Sequence, residues 1–533
     1  MNLRTFSLFA VASLLASSAF AQLTASDVQT IINHAVTRAV VISPNSVIAV
    51  TDREGDVLGV WVMRGGNATN PEIGTAVSKA GTAAYLSSNQ NAFTSRTAGF
   101  IIQQHFPPGV FNTAPGPLVG VGLSNLFIPT NDINKFRGPG SVILFSPTPG
   151  TDKVPGTNTT AIKAVFGSSL DGSPGGVPLY KNGQLVGGIG VTGDGIPGPI
   201  VGFRAENPFI YIAGSDKDED VALAGQHGYA PSSTILATNV FINGIRLPYV
   251  NSSTFVSSTI VLRGNADSHY PLRGTPAPFA YPVATLGGVS GQIRQPIRSD
   301  PMAGTINGQP RLAAAEVRSI LSRAAYQTSI TRAAIRLPIG QPMKAFITVV
   351  NNPNAAGVAP TVLGTFRTGE ATLFSWDVAV QKARTVIYYS SHDFLGFGLK
   401  VAMSVRCVGF LAQCNYPPGI DGNAPGPFNG QQERFSGLLG NHCNPSAITL
   451  NSAFVPNPNL PNGITIFPGA FGLYRNGVLI GAIGVSGDGV DQDDLVAAAG
   501  THDFLAPLSI RSDQFFYRNT RLPYAKFPRD WHL

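Results

Sequence analysis

One segment of this chain occurs twice, and this repeat constrains the fold more than any other feature. Residues 177–195 read VPLYKNGQLVGGIGVTGDG, and residues 471–489 read FGLYRNGVLIGAIGVSGDG. Each copy is followed by an acidic cluster, an alanine-rich run and a Gly-x-His sequence. Similar segments this long and this far apart indicate a duplicated domain rather than a solenoid of short repeats. The chain can therefore be aligned with itself.

The N-terminal residues 1–21 have the pattern of a signal peptide. Arg4 supplies a positive charge, an apolar stretch follows, and Ala19-Phe20-Ala21 is typical of a cleavage site. The apolar stretch is shorter than the roughly 20 residues that a membrane helix needs, and we find no later stretch that is long and apolar enough. We expect a mature protein that begins at Gln22, has no membrane span, and resides in the periplasm or outside the cell.

The charge pattern argues against a nucleic-acid partner. The chain has 36 basic and 29 acidic residues, a net charge of +7, and loss of Arg4 with the signal peptide leaves +6. The basic residues are scattered, and no basic run is interleaved with aromatic residues. Only 12% of the residues are charged, while there are 60 glycines and 41 prolines, which indicates sheets and loops with large neutral surfaces.

Each copy reads as helix, hairpin, helix, hairpin, helix. Apolar spacing predicts a first helix at 23–40 in one copy and at 312–329 in the other. Runs of β-branched residues predict a first hairpin over 46–63, with a partner at 344–366 that has a longer loop. The doubled segment is the second hairpin, because each Asn-Gly pair favours a two-residue turn between alternating apolar residues.

Strands that occur in hairpins predict a mainly antiparallel sheet, so we expect an α+β protein with two tandem domains whose sheets are flanked by helices. Residues 124–174 and 196–215 look like insertions or long loops of the first copy. The predicted boundaries are a signal peptide at 1–21, a first domain at 22–250, a Pro/Gly/Ser-rich linker at 251–310 and a second domain at 311–533.

Several of these motifs together resemble the GlcG/HbpS family, the haem-binding and "haem-degrading" domain also found at the end of PduO-type proteins. The motifs are LTxxxxQxIIxxA, IAVTDxxGxVLG, Lys-Ala-x-Thr in a helix, and GxxPLYxNGxLVGxIGVxG before the acids and AxAG. The resemblance implies a profilin-like sheet and assembly into dimers or larger oligomers. Two fused copies would then form an intramolecular pseudo-dimer, which could assemble further into a homo-oligomer. Some members bind haem, so the resemblance also suggests haem as a cofactor.

Histidine is the residue type that most directly suggests haem ligation here. His34 lies in the first helix, where some relatives carry a haem-ligating histidine, but Arg323 is its counterpart in the second copy. His105 is similarly replaced by Asn415. We take His34 as the candidate iron ligand, with an ordinary surface histidine as the alternative.

A second pair of histidines, His227 and His502, does recur. Each follows the glycine at the end of the last predicted helix. A histidine there can cap the final carbonyl groups and interact favourably with the helix dipole. We favour this structural role over metal ligation.

Two basic residues recur on the central helices of both copies. Lys79 corresponds to Lys382, and Arg96 corresponds to Arg406. One interpretation is an anion clamp for a carboxylate or a haem propionate, for which arginine is suited. The alternative, equally weighted, is a salt bridge to the acids near the last helix.

The Gly-rich ends of the doubled segment are the remaining ligand-binding candidates, namely Gly193, Asp194, Gly487 and Asp488. Their glycine pattern superficially resembles a dinucleotide-binding motif, but the second copy breaks it and no βαβ context surrounds it. We expect a tight strand exit whose backbone amides line a small-ligand pocket with the aspartates at the rim. A plain glycine turn is the alternative.

The three cysteines, Cys407, Cys414 and Cys443, all lie in the second copy. Export permits a disulfide, and Cys407 and Cys414 are too far apart on one helix to bridge. We expect Cys443 to pair with Cys414 or Cys407. A metal site is the less favoured interpretation, because no Cys-x-x-Cys or histidine pair with ligand spacing is present.

Taken together, the sequence predicts an exported tandem-domain protein that binds haem or another small anionic ligand. Two alternatives stay open: an enzyme acting on haem or on a small redox substrate, and a structural or assembly protein without ligand. We find no serine nucleophile motif and no recurring Ser/His/Asp or Cys/His set, which makes an enzyme the less favoured interpretation.

Overall fold

The described part of the computed structural model contains two large antiparallel sheets, one for each copy of the repeat, and four two-stranded sheets. The structure describes residues 21–526 except 66–67, 123–169, 197–210, 277–280, 339, 445–446, 452, 454 and 456. Almost all of the predicted signal peptide and most of the two predicted insertions lie outside the described residues.

The first copy follows the predicted order of elements. Its elements are α1 (Ala25–Ile42), β1 (Val47–Asp52), β2 (Val57–Val62), α2 (Asn70–Leu86), α3 (Ser95–Ile101), α4 (Val119–Gly122), β3 (Gly176–Lys181), β4 (Gln184–Thr192), α5 (Lys217–Gln226) and the small hairpin β5 (Phe241–Ile242) and β6 (Ile245–Arg246). Thr24 caps α1, because its side chain accepts a hydrogen bond from the Asp27 amide. The Asp27 carboxylate in turn accepts a hydrogen bond from the Thr24 amide, which completes a capping box.

The described part of the predicted linker contains five short strands, and the second copy then repeats the order. The strands are β7 (Asn265–Ala266), β8 (Val283–Leu286), β9 (Val289–Gln295), β10 (Thr305–Ile306) and β11 (Gln309–Pro310). The second copy comprises α6 (Ala314–Ile330), β12 (Ala345–Asn351), β13 (Val362–Thr368), α7 (Phe374–Ser390), α8 (Val405–Leu411), α9 (Gln431–Ser436), β14 (Leu438–Leu439), β15 (Thr449–Leu450), β16 (Ala470–Arg475), β17 (Val478–Gly487), α10 (Val490–Gly500), β18 (Phe516–Tyr517) and β19 (Thr520–Arg521).

The two sheets share one topology. The strand orders are β3-β4-β1-β2-β7 and β16-β17-β12-β13-β9-β8. Each pairing between neighbouring strands of these sheets is antiparallel. The α+β class with two tandem, mainly antiparallel domains is therefore confirmed.

The segment predicted as a linker also contributes to both sheets. Strand β7 pairs with the edge strand β2, and β9 pairs with the edge strand β13. An exposed sheet edge offers unpaired backbone groups, so a neighbouring chain segment readily pairs with it even when its composition is typical of a linker. The segment 251–310 is thus partly strand rather than only a connection.

The turns of the doubled hairpins have the predicted geometry. Asn182 and Gly183 have φ of 53° and 74°, and Asn476 and Gly477 have φ of 47° and 79°. Positive φ at both central residues is the requirement of a type I′ turn, which Asn-Gly meets with little strain. The second hairpin of each copy is therefore confirmed.

Recurring glycines let the central helix of each copy lie directly on the hairpin. A Cβ at Gly190 would come within 2.1 Å of the Ala76 carbonyl oxygen in α2, and one at Gly484 within 2.0 Å of the Ala379 carbonyl oxygen in α7. Ile189, the neighbour of Gly190, points to the other face, where its side chain lies under Gly225 of α5. Each sheet is therefore covered by helices on both faces.

The two copies pack against each other. The ring centroids of Tyr85 and Phe374 are 6.2 Å apart, and the Ser88 hydroxyl donates to the Arg336 carbonyl at 2.8 Å. One cluster of buried apolar side chains contains residues of both copies. The copies therefore share part of their hydrophobic core.

Charged groups also join the copies. Glu54, in the first hairpin turn, accepts hydrogen bonds from Arg367 of β13 at 2.7 and 3.0 Å. Asp421 contacts the His105 ring at 3.0 Å and accepts a hydrogen bond from the Asn112 amide at 2.9 Å. His105 thus lies at the contact between the copies.

Candidate functional site

The recurring lysines are buried ion-pair partners. Lys79 Nζ lies 3.2 Å from Asp218 at the start of α5, and Lys382 Nζ lies 2.8 Å from Asp493 in α10. Each lysine also donates to a backbone carbonyl of the hairpin, at 3.0 and 2.8 Å. Burial raises the pKa of Asp218 to about 6 and of Asp493 to about 7, although the lysine opposes the rise.

The recurring arginines bind the same helices. Arg96 makes a bidentate contact with Glu219 at 2.7 and 2.8 Å. Arg406 contacts Asp494 at 2.9 Å and Asp491 at 2.7 Å. Although burial alone would lower the pKa of Arg96, contact with Glu219 raises it.

The structure thus shows the salt-bridge alternative for all four cations. The acids near the last helix of each copy are the partners of the recurring lysines and arginines. A ligand anion would have to displace these carboxylates, and a role in ligand binding stays a prediction.

Gly193 and Asp194 close the exit of β4 against the end of α1. A Cβ at Gly193 would come within 2.7 Å of the Ser46 Cα, so glycine permits a close approach of two backbones. Asp194 accepts hydrogen bonds from the Asn45 amide at 3.0 Å, the Asn45 side chain at 2.9 Å and the Ser43 hydroxyl at 3.2 Å. Burial opposes ionisation, but these donors hold the pKa of Asp194 below its usual value.

An open cavity of about 570 Å³ lies beside Asp194. Its described lining consists of Asp194, Gly195, Ile196, Ser215, Asp216, Lys217, Asp220, Ser252 and Ser253. Several of these polar groups already hold the fold. Asp216 accepts the amides of Asp218 and Glu219 at the start of α5, and Asp220 is paired with Arg38 at 2.7 Å. Ligand binding in this cavity stays a prediction.

The equivalent exit in the second copy is filled from within the chain. Asp488 accepts a hydrogen bond from Arg336 Nε at 2.8 Å and from the Lys344 amide at 2.7 Å. Arg336 also reaches the Ser87 carbonyl of the first copy at 3.5 Å. Gly487 packs on the Lys344 carbonyl, where a Cβ would come within 2.1 Å. This exit anchors the two copies together.

His34 of α1 lies beside His227, the residue that follows α5. The two ring centroids are 5.5 Å apart and the rings meet edge to face. His34 Nδ1 is buried and has no hydrogen-bond partner among the described residues. Burial and the neighbouring His227 lower the pKa of His34, while a hydrogen bond with the His227 backbone opposes the change. The net shift favours the neutral form of the His34 ring.

The second copy has an ion pair at the same place. Arg323 contacts Asp503 at 2.8 Å, and the His502 ring contacts the same carboxylate group at 2.7 Å. The position of His34 is thus taken by an arginine in an ion pair, while the second imidazole is retained as His502. His227 is the residue after α5, and its backbone amide donates to the Ala224 carbonyl, whereas Thr501 takes this position after α10. Capping by the two imidazoles stays a prediction.

An apolar loop lies next to the His34–His227 pair. Thr37 lies one turn along α1 from His34. Its hydroxyl accepts a hydrogen bond from the Val261 amide at 3.0 Å and donates one to the Val261 carbonyl at 3.3 Å. Exposed apolar side chains flank this contact, namely Val41, Ile260, Val261 and Leu262. An exposed apolar surface therefore lies around Thr37, one turn of α1 from His34.

Sequence reasoning missed two features of these sites. It treated His34 and His227 separately, although the helices that carry them are the first and last of a copy and pack together. It also missed Arg336, which lies in a connection, residues 331–344, whose counterpart in the first copy is the short segment 43–46. The unequal length of these two connections was the available signal.

A disulfide joins Cys414 and Cys443, which was one of the two expected pairings. Cys407 is a buried thiol, and burial raises its pKa to about 12. In the described part of the chain, no helix has the length and apolar character to cross a membrane.

The tandem antiparallel sheets, the helices on both faces and the doubled hairpin define a duplicated α+β domain. The family model described as "Haem degrading protein HbpS-like" matches residues 23–196 and 341–502, which together make up more than half of the chain. The chain belongs to the HbpS-like family, and the resemblance seen in the sequence is confirmed. No curated protein matches the chain.

Three solved structures are similar to single copies of the repeat. They are a PduOC:heme complex (19% identity, TM-score 0.22, covering 36% of this chain and 94% of that one), Klebsiella pneumoniae protein ORFY (17%, 0.22, 42% and 96%) and a double mutant of HbpS from Streptomyces reticuli (18%, 0.21, 43% and 99%). Each covers less than half of this chain.

Proposed function

We propose that the chain is an exported haem-binding protein whose first copy holds the haem iron through His34. The observation that carries this proposal is the buried Nδ1 of His34, which has no hydrogen-bond partner among the described residues and lies in an imidazole pair with His227. A haem-related description of the family and a haem complex among similar proteins support the choice of ligand.

The charge state of His34 suits iron ligation. Only a neutral imidazole has a lone pair to donate, so a ligand histidine must lose its proton before it binds a metal. Burial and His227 lower the pKa of His34, which favours the neutral ring at neutral pH. His227 stands beside it as a second imidazole that can contact the same ligand.

The surroundings of His34 also suit a large apolar ring. A porphyrin exposes far more apolar surface than a metal ion, and burying that surface against apolar side chains favours binding. The exposed residues Val41 and Ile260–Leu262 provide such a surface one to two turns of α1 away from His34. The residues present therefore fit a haem, which would supply a redox-active iron.

The second copy would serve assembly. Arg323 takes the place of His34 and pairs with Asp503, and Arg336 fills the strand exit and reaches the first copy. We infer that the two copies form an intramolecular pseudo-dimer in place of a dimer of separate domains, with one haem per chain. Further assembly into a homo-oligomer is part of the same proposal.

Export is the last part of the proposal. The signal-peptide pattern at 1–21 and the Cys414–Cys443 disulfide support it, because disulfides persist mainly in oxidising compartments. The mature chain would begin at Gln22.

The first prediction concerns haem binding. Titration of the purified mature protein with hemin should give a shifted Soret band that saturates at one hemin per chain. His34→Ala should weaken binding at least about tenfold, which is about 1.4 kcal/mol, while the matched control His502→Ala should bind as wild type. Circular dichroism would establish that the variants fold. Equal titration curves for wild type and His34→Ala would refute iron ligation by His34.

Adding ascorbate to the hemin complex separates binding from breakdown. A stable Soret band supports a binding protein. A decay of the band that is faster with wild type than with His34→Ala would instead favour haem degradation at the same site.

A further inference from the structure

The second copy contains a compact group of soft metal donors, far along the chain from the His34 site. The sulfurs of Cys414 and Cys443 and a ring nitrogen of His442 all lie within 4.8 Å of one another. Cys414 follows α8, and His442 and Cys443 lie in the turn after β14. Two sulfurs and one imidazole are a donor set that zinc and similar ions favour.

His442 is held as a metal-ligating histidine usually is. Its Nδ1 lies 2.6 Å from Glu433 Oε1, and its backbone amide donates to the same oxygen at 2.5 Å. Both residues are almost completely buried, with 2% and 0% of their side chains exposed. A carboxylate that accepts the Nδ1 proton fixes the tautomer in which Nε2 is the basic nitrogen, and such carboxylate–histidine pairs commonly orient metal ligands.

A donor also points at one sulfur. Asn429 Nδ2 lies 2.8 Å from Cys443 Sγ. A hydrogen bond to sulfur stabilises the thiolate, which is the form of cysteine that binds metals. The first copy has Gln104 where the second has Cys414, so the group belongs to the second copy.

We propose that Cys414, Cys443 and His442 form a redox-controlled site for one soft divalent metal ion, with Glu433 positioning His442. The disulfide closes the site. A dithiol reductant opens it: the S–S bond breaks, the sulfurs gain two electrons and two protons, and the dithiol becomes a disulfide. Binding of the metal ion then releases the two thiol protons. Three protein ligands leave one position of a tetrahedral ion open.

This second prediction is independent of haem binding. The mature protein is reduced with a dithiol, freed of it by gel filtration without oxygen, and titrated with Co²⁺, whose thiolate complexes absorb light. Reduced protein should bind one equivalent with sulfur-to-cobalt absorption, and Zn²⁺ should displace it. The oxidised protein should show no such absorption. Cys407→Ser and His502→Ala are matched controls that should bind as wild type.

The variants test each role. His442→Ala should bind Co²⁺ at least about tenfold more weakly, and Glu433→Gln, which keeps the shape of the side chain, about 10–100-fold more weakly. Absence of thiolate absorption in reduced protein, or equal affinity of His442→Ala and wild type, would overturn the proposal. If reduction unfolds the chain, Co²⁺ should restore the circular dichroism of wild type but not of His442→Ala, and failure to restore it would also overturn the proposal.

Discussion

Asp52 shows how a single buried carboxylate affects stability at the residue scale. It is 4% exposed at the end of β1, and its Oδ1 accepts the amides of Glu54 and Asp56, both at 2.9 Å. Burial, together with the charges of Asp56 and Glu54, raises its pKa to about 8 in spite of these hydrogen bonds. Between pH ~4 and ~8 the folded chain therefore holds a proton that the unfolded chain releases. The linkage makes stability fall as the pH rises through this window.

The third prediction is that Asp52→Asn removes the fall in stability with rising pH. Asparagine keeps the acceptor oxygen and carries no charge. The free energy of unfolding, measured with urea at pH 5 and pH 8.5, should favour the variant increasingly at the higher pH. Asp393→Asn is the control, since Asp393 is exposed and its pKa lies below the usual value. Its effect should be equal at both pH values. A difference between Asp52→Asn and wild type that does not grow with pH would contradict the assignment.

At the scale of the elements, the doubled hairpin is a packing surface for the central helix. Gly190 and Gly484 recur because a side chain there would run into the backbone of α2 or α7, which cannot rotate away as a side chain can. The doubled sequence is therefore required by a helix–sheet contact as well as by a turn.

The fourth prediction is that Gly190→Ala and Gly484→Ala each destabilise the protein by about 1–3 kcal/mol, the usual effect of overpacking a tight contact. Gly214→Ala is the matched control, because no atom lies within 4 Å of its added Cβ. Thermal unfolding measures the difference. The packing account fails if all three variants melt at the same temperature.

The individual elements also show which parts of the fold and of the candidate site the sequence predicts. Hairpins, turns and helices followed from local patterns, since Asn-Gly turns and apolar spacing are local requirements. The salt bridges of Lys79 and Arg96 were an open alternative, because the partner of a cation depends on which helices pack together. The strand pairing of residues 283–295 and the meeting of His34 with His227 were missed, since both depend on tertiary contacts that composition does not encode.

At the scale of the whole molecule, one residue of the second copy connects both domains. Arg336 is 4% exposed, pairs with the buried Asp488, and reaches a carbonyl of the first copy. Removing one partner of a buried pair leaves an uncompensated charge, which costs far more than the pair itself contributes. The contact between the copies should therefore depend strongly on Arg336.

The fifth prediction is that Arg336→Ala lowers the free energy of unfolding by about 3–5 kcal/mol. The matched control is Arg323→Ala, whose partly exposed ion pair with Asp503 should contribute at most about 1 kcal/mol. Urea unfolding of both variants provides the comparison. Equal losses in the two variants would show that Arg336 does not join the copies.

The covalent fusion of the copies has a consequence for how such a protein can diverge. In a symmetric dimer of identical chains, one substitution changes both halves at once. In the fused chain, His34 faces a neighbouring imidazole while its counterpart Arg323 forms an ion pair, and Cys414 forms a disulfide where the first copy has Gln104. Duplication within one chain therefore frees each half to acquire its own chemistry while the shared framework of hairpin and helix is kept.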